Sequence, residues 1–284
     1  MIRILGTIFA GLLGLAFGSF LNVCLSRWPQ GESIVTPRSH CRSCNRTLAW
    51  WENIPLASWL ALRGRCRTCR AWIGWRYPLV ELAIASLWAF AAWRSYDAFF
   101  PLEFAAGMMF LMWALIGLAV LDAEHLWLPD AMILPSIALG FGWWFFQGKQ
   151  IGWALGKPSE PWEDAENAGK RLLGILAAAG LILLIRWFYW LIRRREGIGL
   201  GDAKLMALLA AWLGLPGALL AFGLGVVLGA LVAVVLLAIP AARTETSGWA
   251  LKKLPLGTFL CVGGIVSSLW GQPIIAAYRG RAGF

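Results

Sequence analysis

A chain of 284 residues that is 60% hydrophobic and only 14% charged, with 19 Trp and 32 Gly, lacks the polar surface of an ordinary soluble domain. Its net charge of +10 does not call for nucleic acid. The basic residues gather on loops between apolar stretches, where membrane orientation and contact with anionic lipid headgroups account for them.

Charge-free stretches cover residues 4–26, 104–121, 131–147, 172–185, 205–242 and 254–278, against about 20 residues for a helix that crosses a bilayer. The first, preceded by Arg3, is longer than a signal-peptide core and runs on without a small-x-small cleavage site, so it reads as the first span. The stretch 205–242 would be about 57 Å long as one helix. It contains Gly214-Leu215-Pro216, a helix breaker, and is expected to divide there. With a shorter segment near residues 79–93, the reading is an all-α polytopic membrane protein of about eight transmembrane helices, beginning near residues 4, 79, 102, 131, 172, 202, 216 and 255.

Alternate loops then share a face. Loops 26–78, 122–130, 193–204 and 241–254 hold 16 basic residues, and the opposite set holds 8. The richer set is therefore expected in the cytoplasm. The domain reading is a first helix over 1–25, a small cytoplasmic domain over 26–77 and a membrane-embedded core over 78–284.

The inserted domain carries Cys41-Arg42-Ser43-Cys44 and Cys66-Arg67-Thr68-Cys69, with 21 residues between the pairs. Two tight turns that each offer two thiolates can close a tetrahedral site, so Cys41, Cys44, Cys66 and Cys69 are candidate ligands of a structural Zn²⁺. Flanking arginines offset the thiolate charge. Two disulfides are the alternative, which a reducing cytoplasm disfavours. His40 is a spare ligand that four cysteines make unnecessary. Cys24 and Cys261, in or beside apolar stretches, read as packing residues. So short a domain buries little apolar surface, and a metal gives it a reason to fold.

Acidic residues are few, and two groups stand out. Asp122-Ala123-Glu124-His125 with Leu128-Pro129-Asp130 follows one apolar segment, and Gly199-Leu200-Gly201-Asp202-Ala203-Lys204 opens another. Two spans separate them, so Asp122 and Asp202 share a face with each other and with the cysteine domain. Carboxylates at membrane helix ends are costly and mark function. A pair can divide acid and base work on a peptide bond. The structural alternative makes Gly201-Asp202 a turn and helix cap, and a cap is the favoured reading of Asp130. The glycines beside Asp202 leave room for an extended substrate. Asp122 ends a helix and Asp202 starts one, so the helix dipoles alone would make Asp202 the first base and Asp122 the proton-bearing partner. No Gly-x-Ser-x-Gly or His-Glu-x-x-His pattern competes.

The chain resembles the type IV prepilin peptidase family of pilus assembly and type II secretion. The resemblance rests on Gly18-Ser19-Phe20-Leu21-Asn22-Val23, Arg27-Trp28-Pro29, Pro37-Arg38-Ser39, the paired Cys-x-x-Cys, Glu52-Asn53-Ile54-Pro55, Arg76-Tyr77-Pro78-Leu79-Val80-Glu81, Asp122 with Leu128-Pro129-Asp130, and Gly199-Leu200-Gly201-Asp202 with Lys204. It implies a bacterial inner-membrane aspartic protease with its active site facing the cytoplasm. Asp122 and Asp202 would be its essential pair. The implied substrates are prepilins or pseudopilins, whose short basic leader ends in Gly before an apolar helix. It also implies N-methylation of the new N-terminus with S-adenosylmethionine, an activity linked to the cysteine region, but does not say which residues bind that cofactor. Glu124 stands where the family often has Asp, and Arg42 where Pro is common. Two other readings are a zinc-stabilised membrane assembly protein with structural aspartates, and a methyltransferase without proteolysis.

Overall fold

The computed structural model describes residues 1–97, 102–154, 160–195, 197, 199–238 and 254–282. The long helices in chain order are α1 (Ile2–Arg27), α3 (Arg76–Asp97), α4 (Leu102–His125), α5 (Asp130–Ala154), α6 (Pro161–Arg193), α7 (Leu200–Ala238) and α8 (Leu256–Ala282), with a short α2 (Ala57–Ala61) in the cysteine segment. Among the described residues, six helices are long and apolar enough to cross a membrane: α1, α4, α5, α6, α7 and α8. The chain is a multi-pass, all-helical membrane protein. Seven of the eight expected helix starts fall close to observed ones once α7 is taken as two halves and α3 is included; the start expected near residue 172 lies inside α6, which begins at Pro161 because the charged turn 163–171 is already helical. α3 carries Arg76, Glu81, Arg94 and Asp97 and falls outside the six. The basic loop 241–254 lies, save for Leu254, outside the described residues, as does Ile198 of the glycine motif.

The chain forms two compact units, residues 1–117 and 118–284. In the first, α1 packs along α3. A Cβ on Gly14 or Gly18 would stand 2.7 Å from the Cα of Ala85 or Glu81, so the two backbones touch through small residues, as membrane helices do where no hydrophobic effect drives them together. Asn22 donates from Nδ2 to the Tyr77 carbonyl at 2.9 Å, fixing the ends of the two helices.

In the second unit, α7 packs against α5, α6 and α8. It breaks where the sequence predicts: Gly214 has φ 76° and ψ 169°, and Pro216 has no N–H to offer the Trp212 carbonyl. Arg171 of α6 supplies the missing donors, with Nη2 giving hydrogen bonds to Ala211 O at 3.0 Å and Trp212 O at 2.9 Å. This is the re-satisfaction that a broken membrane helix requires. Arg171→Met should therefore destabilise the unit by about 1–3 kcal/mol, read as a lower midpoint of thermal unfolding in detergent. An unchanged midpoint would mean that these carbonyls find other donors.

Candidate active site and metal centre

The cysteine segment folds as two like turns. Cys41 N–H donates to Arg46 O at 2.9 Å, and Cys66 N–H to Ala71 O at 2.9 Å. Asn45 and Arg70 each take positive φ four residues after the first cysteine of their pair, and each turn is closed by one antiparallel bridge, His40 with Thr47 and Arg65 with Trp72. The turns bring the four Sγ atoms within 4.8 Å of one another. Cys41 Sγ and Cys69 Sγ stand 3.7 Å apart. Zn–S bonds of about 2.3 Å put tetrahedral sulfurs roughly 3.8 Å apart, whereas a disulfide needs about 2.05 Å. The donor set and spacing therefore fit a closed zinc site. Backbone N–H groups of Cys69 and Thr68 pull the Cys66 thiol down, toward the thiolate that a metal binds, while burial and the neighbouring thiols push Cys69 up, so without a cation the four sulfurs do not all ionise. His40 instead faces the Arg38 carbonyl through Nδ1 at 3.1 Å.

Glu52 belongs to the Glu52-Asn53-Ile54-Pro55 motif, and nothing in the sequence singles it out. Its buried carboxylate takes both arms of Arg46, at 3.0 and 2.6 Å, and the Ala49 N–H at 2.8 Å. The guanidinium beside it holds the Glu52 carboxyl below the ordinary range. This fork ties the first cysteine turn to the following segment. A three-ring cluster of Trp59, Trp72 and Trp75, with centroids 4.6–5.9 Å apart, covers the second turn. Gly64 has φ 66°, and a Cβ there would meet the Trp72 and Trp59 rings at 2.7 and 2.9 Å; only glycine fits.

In the second unit, Asp122 lies in the last turn of α4 and Asp202 in the first turn of α7. Both are buried, at 6% and 9% exposure, and both line a cavity of about 510 Å³ shared with Leu126, Leu128, Gly199 and Lys204. They lie within electrostatic range of each other. A cavity of this size falls within the range of small-ligand and peptide-segment pockets.

Asp202 is not the cap residue itself. From the third helical position it reaches back, accepting the Gly199 N–H on Oδ2 at 3.2 Å, as in half of a capping box. Asp130 is not a cap either. The Ile133 N–H bonds to Pro129 O at 3.1 Å, which makes Pro129 the cap position. The Asp130 carboxylate instead accepts Lys204 Nζ at 2.6 Å, pinning the 126–129 connection to α7. Both charges line the same cavity.

The residue missed from sequence is Thr258, at the start of α8. Its N–H donates to Asp122 Oδ2 at 2.7 Å, and its Oγ1 lies 3.2 Å from the same oxygen and 2.9 Å from Ala119 O. The hydroxyl has one proton, so when it bonds to Ala119 O it can accept one from a protonated Asp122. α8 thus presents its N-terminal end to Asp122, just as α7 does to Asp202. The inequality expected from α4 and α7 alone is offset by α8, and the proton belongs to the pair. The faint sequence signal was Gly257 before Thr258 at a helix start.

A Cβ on Gly257 would meet Asp122 Cγ at 2.9 Å and Leu128 Cδ1 at 3.1 Å, and one on Gly201 would meet Leu128 at 3.1 Å. Leu128 is seated between the two helix starts, and glycine on either side leaves it room. Gly257→Ala must push the Asp122 carboxyl aside. The expected result is a fall of at least tenfold in any activity that uses Asp122, on the scale of displacing a reacting group by about 1 Å, with helical content by circular dichroism unchanged. Unchanged turnover would show that Asp122 need not sit where it does.

Comparison with known proteins identifies the family. A family model described as the type IV leader peptidase family matches residues 109–234, and one described as the bacterial peptidase A24 N-terminal domain matches residues 12–95. Proteins named prepilin leader peptidase/N-methyltransferase are similar along most of the length. The one from Stutzerimonas stutzeri is 34% identical over 94% of this chain and 91% of its own. That from Pseudomonas aeruginosa is 33% identical over 96% and 93%, and that from Myxococcus xanthus is 40% identical over 75% and 58%. No solved structure matches. With both family models matched and relatives above 30% identity over nine-tenths of its length, the chain belongs to the type IV leader peptidase family.

Proposed function

We propose that this protein cleaves the leader from prepilins or pseudopilins with Asp122 and Asp202 as its catalytic pair, and N-methylates the residue so exposed. The observation that carries the reading is the burial of both aspartates in one cavity, inside the segment that matches the peptidase family.

One carboxylate takes a proton from water as the oxygen attacks the scissile carbonyl carbon, while the proton shared by the pair goes to the carbonyl oxygen. On collapse of the tetrahedral species, a carboxyl gives a proton to the leaving amine. Thr258 and the Gly199 N–H hold the two carboxylates in place through this exchange. Gly199 and Gly201 leave the backbone open to an extended chain, and Lys204, paired with Asp130, fixes the rim.

The substrate is anchored by its own apolar helix, which puts its scissile bond at the membrane interface, where helix ends carry both aspartates. The basic loops favour the cytoplasmic side of a bacterial inner membrane for the face that carries both aspartates. Only α5 and α6 separate the aspartates in sequence, so their shared face does not depend on how α3 or the two halves of α7 are counted.

Cys41, Cys44, Cys66 and Cys69 would hold a structural Zn²⁺ with no coordination position left for substrate. S-adenosylmethionine would supply an electrophilic methyl to the new amine.

The test is incubation of a candidate prepilin with the purified protein in detergent, with the product read by mass. A product starting at the residue after the leader glycine, about 14 Da heavier when the methyl donor is added, is expected. An intact substrate across several prepilins would overturn the reading.

A further inference from the structure

Two sequence motifs of the first unit, Gly18–Val23 and Arg76–Glu81, lie outside the segment that matches the type IV leader peptidase family, and they converge on a second cavity of about 270 Å³. This volume lies just below the usual range of about 300–1,000 Å³ for small-molecule sites. Glu81 lies in its wall at 6% exposure. Its Oε2 accepts the Leu56 N–H at 2.8 Å, and its other hydrogen-bonding neighbours are the side chains of Ser19 and Asn22. These are neutral donors, and among the described residues no cation pairs with it. A buried carboxylate without a counter-charge is expensive to keep.

Beside it, Asn22 is 2% exposed and spends Nδ2 on Tyr77 O, which leaves its Oδ1 with no hydrogen-bond donor. Such orphaned acceptors are rare in folded proteins and call for an explanation. Leu56, held by Glu81, has φ 54° and ψ −48°, strain of a kind that gathers at ligand sites. Further along the wall stand the Trp59 and Trp72 rings and three arginines, of which Arg27 is spent on the Ser33 and Pro37 carbonyls and Arg42 on Glu32, while Arg67 can face the carboxylate of an amino-acid ligand. Cys41 and Cys66 belong both to the wall and to the thiol cluster.

A ligand that satisfies this cavity brings N–H donors on a positive charge to Glu81 and Asn22 Oδ1, and a flat ring to the tryptophans. We infer that the cavity is the binding site for the methyl donor S-adenosylmethionine, with Glu81 and Asn22 receiving the cationic amino-acid end and Trp59 and Trp72 the adenine. This rests on the N-methyltransferase reading and names the residues that would serve it. The shared wall gives the cysteine centre a role in that activity: the metal would hold one side of the pocket closed.

The test is isothermal titration of the full-length protein in detergent with S-adenosylhomocysteine, joined to ultraviolet cross-linking of methyl-labelled S-adenosylmethionine and peptide mapping. The expected result is saturable binding to the wild type, at least tenfold weaker in Glu81→Gln and in Trp72→Ala. Zinc content of the variants should be unchanged, and the label should fall within residues 19–27 or 59–81. Zinc content reports that the cysteine domain has folded, so weakened binding at full zinc supports the site. A variant that loses zinc is read from the wild-type label map alone. Equal binding by the variants at full zinc, or label confined to other peptides, overturns the pocket and leaves the methyltransferase reading standing. If the wild type binds neither compound, both fall.

Discussion

Asp122→Asn and Asp202→Asn are each expected to lower the rate of prepilin cleavage by about 10²–10⁴-fold, the range associated with loss of a positioned acid or base. The substitutions suit the question because the geometry tolerates them. An asparagine at 122 still offers an oxygen to the Thr258 N–H, which now spans 2.7 Å to the carboxylate, and one at 202 still accepts the Gly199 N–H. Neither exchange changes volume, so the thermal midpoint should stay within a degree or two. The double variant is the sharper arm. Groups that act as one unit lose nearly everything with the first substitution, so it should be no slower than the worse single variant. Were the aspartates merely structural at two helix ends, cleavage would survive both changes, the effects would add, and the losses would appear in stability.

Much of this arrangement could be read from residue order. Two spans between Asp122 and Asp202 are enough to put them on one face, and the structure buries both in one cavity. The Cys-x-x-Cys spacing likewise announced a four-thiol cluster, because each pair is a local turn whose geometry repeats. The break at Gly214 and Pro216 was legible for the same reason: missing N–H groups and left-handed φ are properties of single residues. What was not legible are contacts made by side chains far apart in sequence. Thr258 meets Asp122 across 136 residues, and Arg171 reaches the carbonyls freed by the α7 break from another helix. Glu81 reaches Leu56 from 25 residues away. Threonine, arginine and glutamate announce no partner by themselves; packing chooses it. The helix-dipole argument was incomplete for this reason too. It weighed the helix that each aspartate belongs to, and left out α8, whose N-terminal end is delivered to Asp122 by the fold.

Stripping the metal is expected to unfold the cysteine domain before any helix. The domain has a short helix, isolated bridges and a small aromatic cluster, too little buried apolar surface for independent stability. Zinc at a structural four-ligand site contributes about 10–16 kcal/mol of apparent binding energy near neutral pH, and in a domain without a sizeable core that energy is folding energy. Wild-type protein purified without chelator should carry one zinc per chain by elemental analysis. A strong chelator should abolish the near-ultraviolet dichroism of Trp59, Trp72 and Trp75 while the far-ultraviolet helical signal, dominated by the long apolar helices, stays nearly whole. Cys44→Ser or Cys69→Ser should lower metal affinity by at least 10-fold. Glu52→Gln removes half of the fork to Arg46 but no ligand, so it should keep the metal and unfold more readily. Alkylation followed by mass measurement guards the interpretation. Four reactive cysteines after chelation, and few before it, are expected of a metal centre, whereas two disulfides that persist under chelation would replace zinc as the staple of this domain.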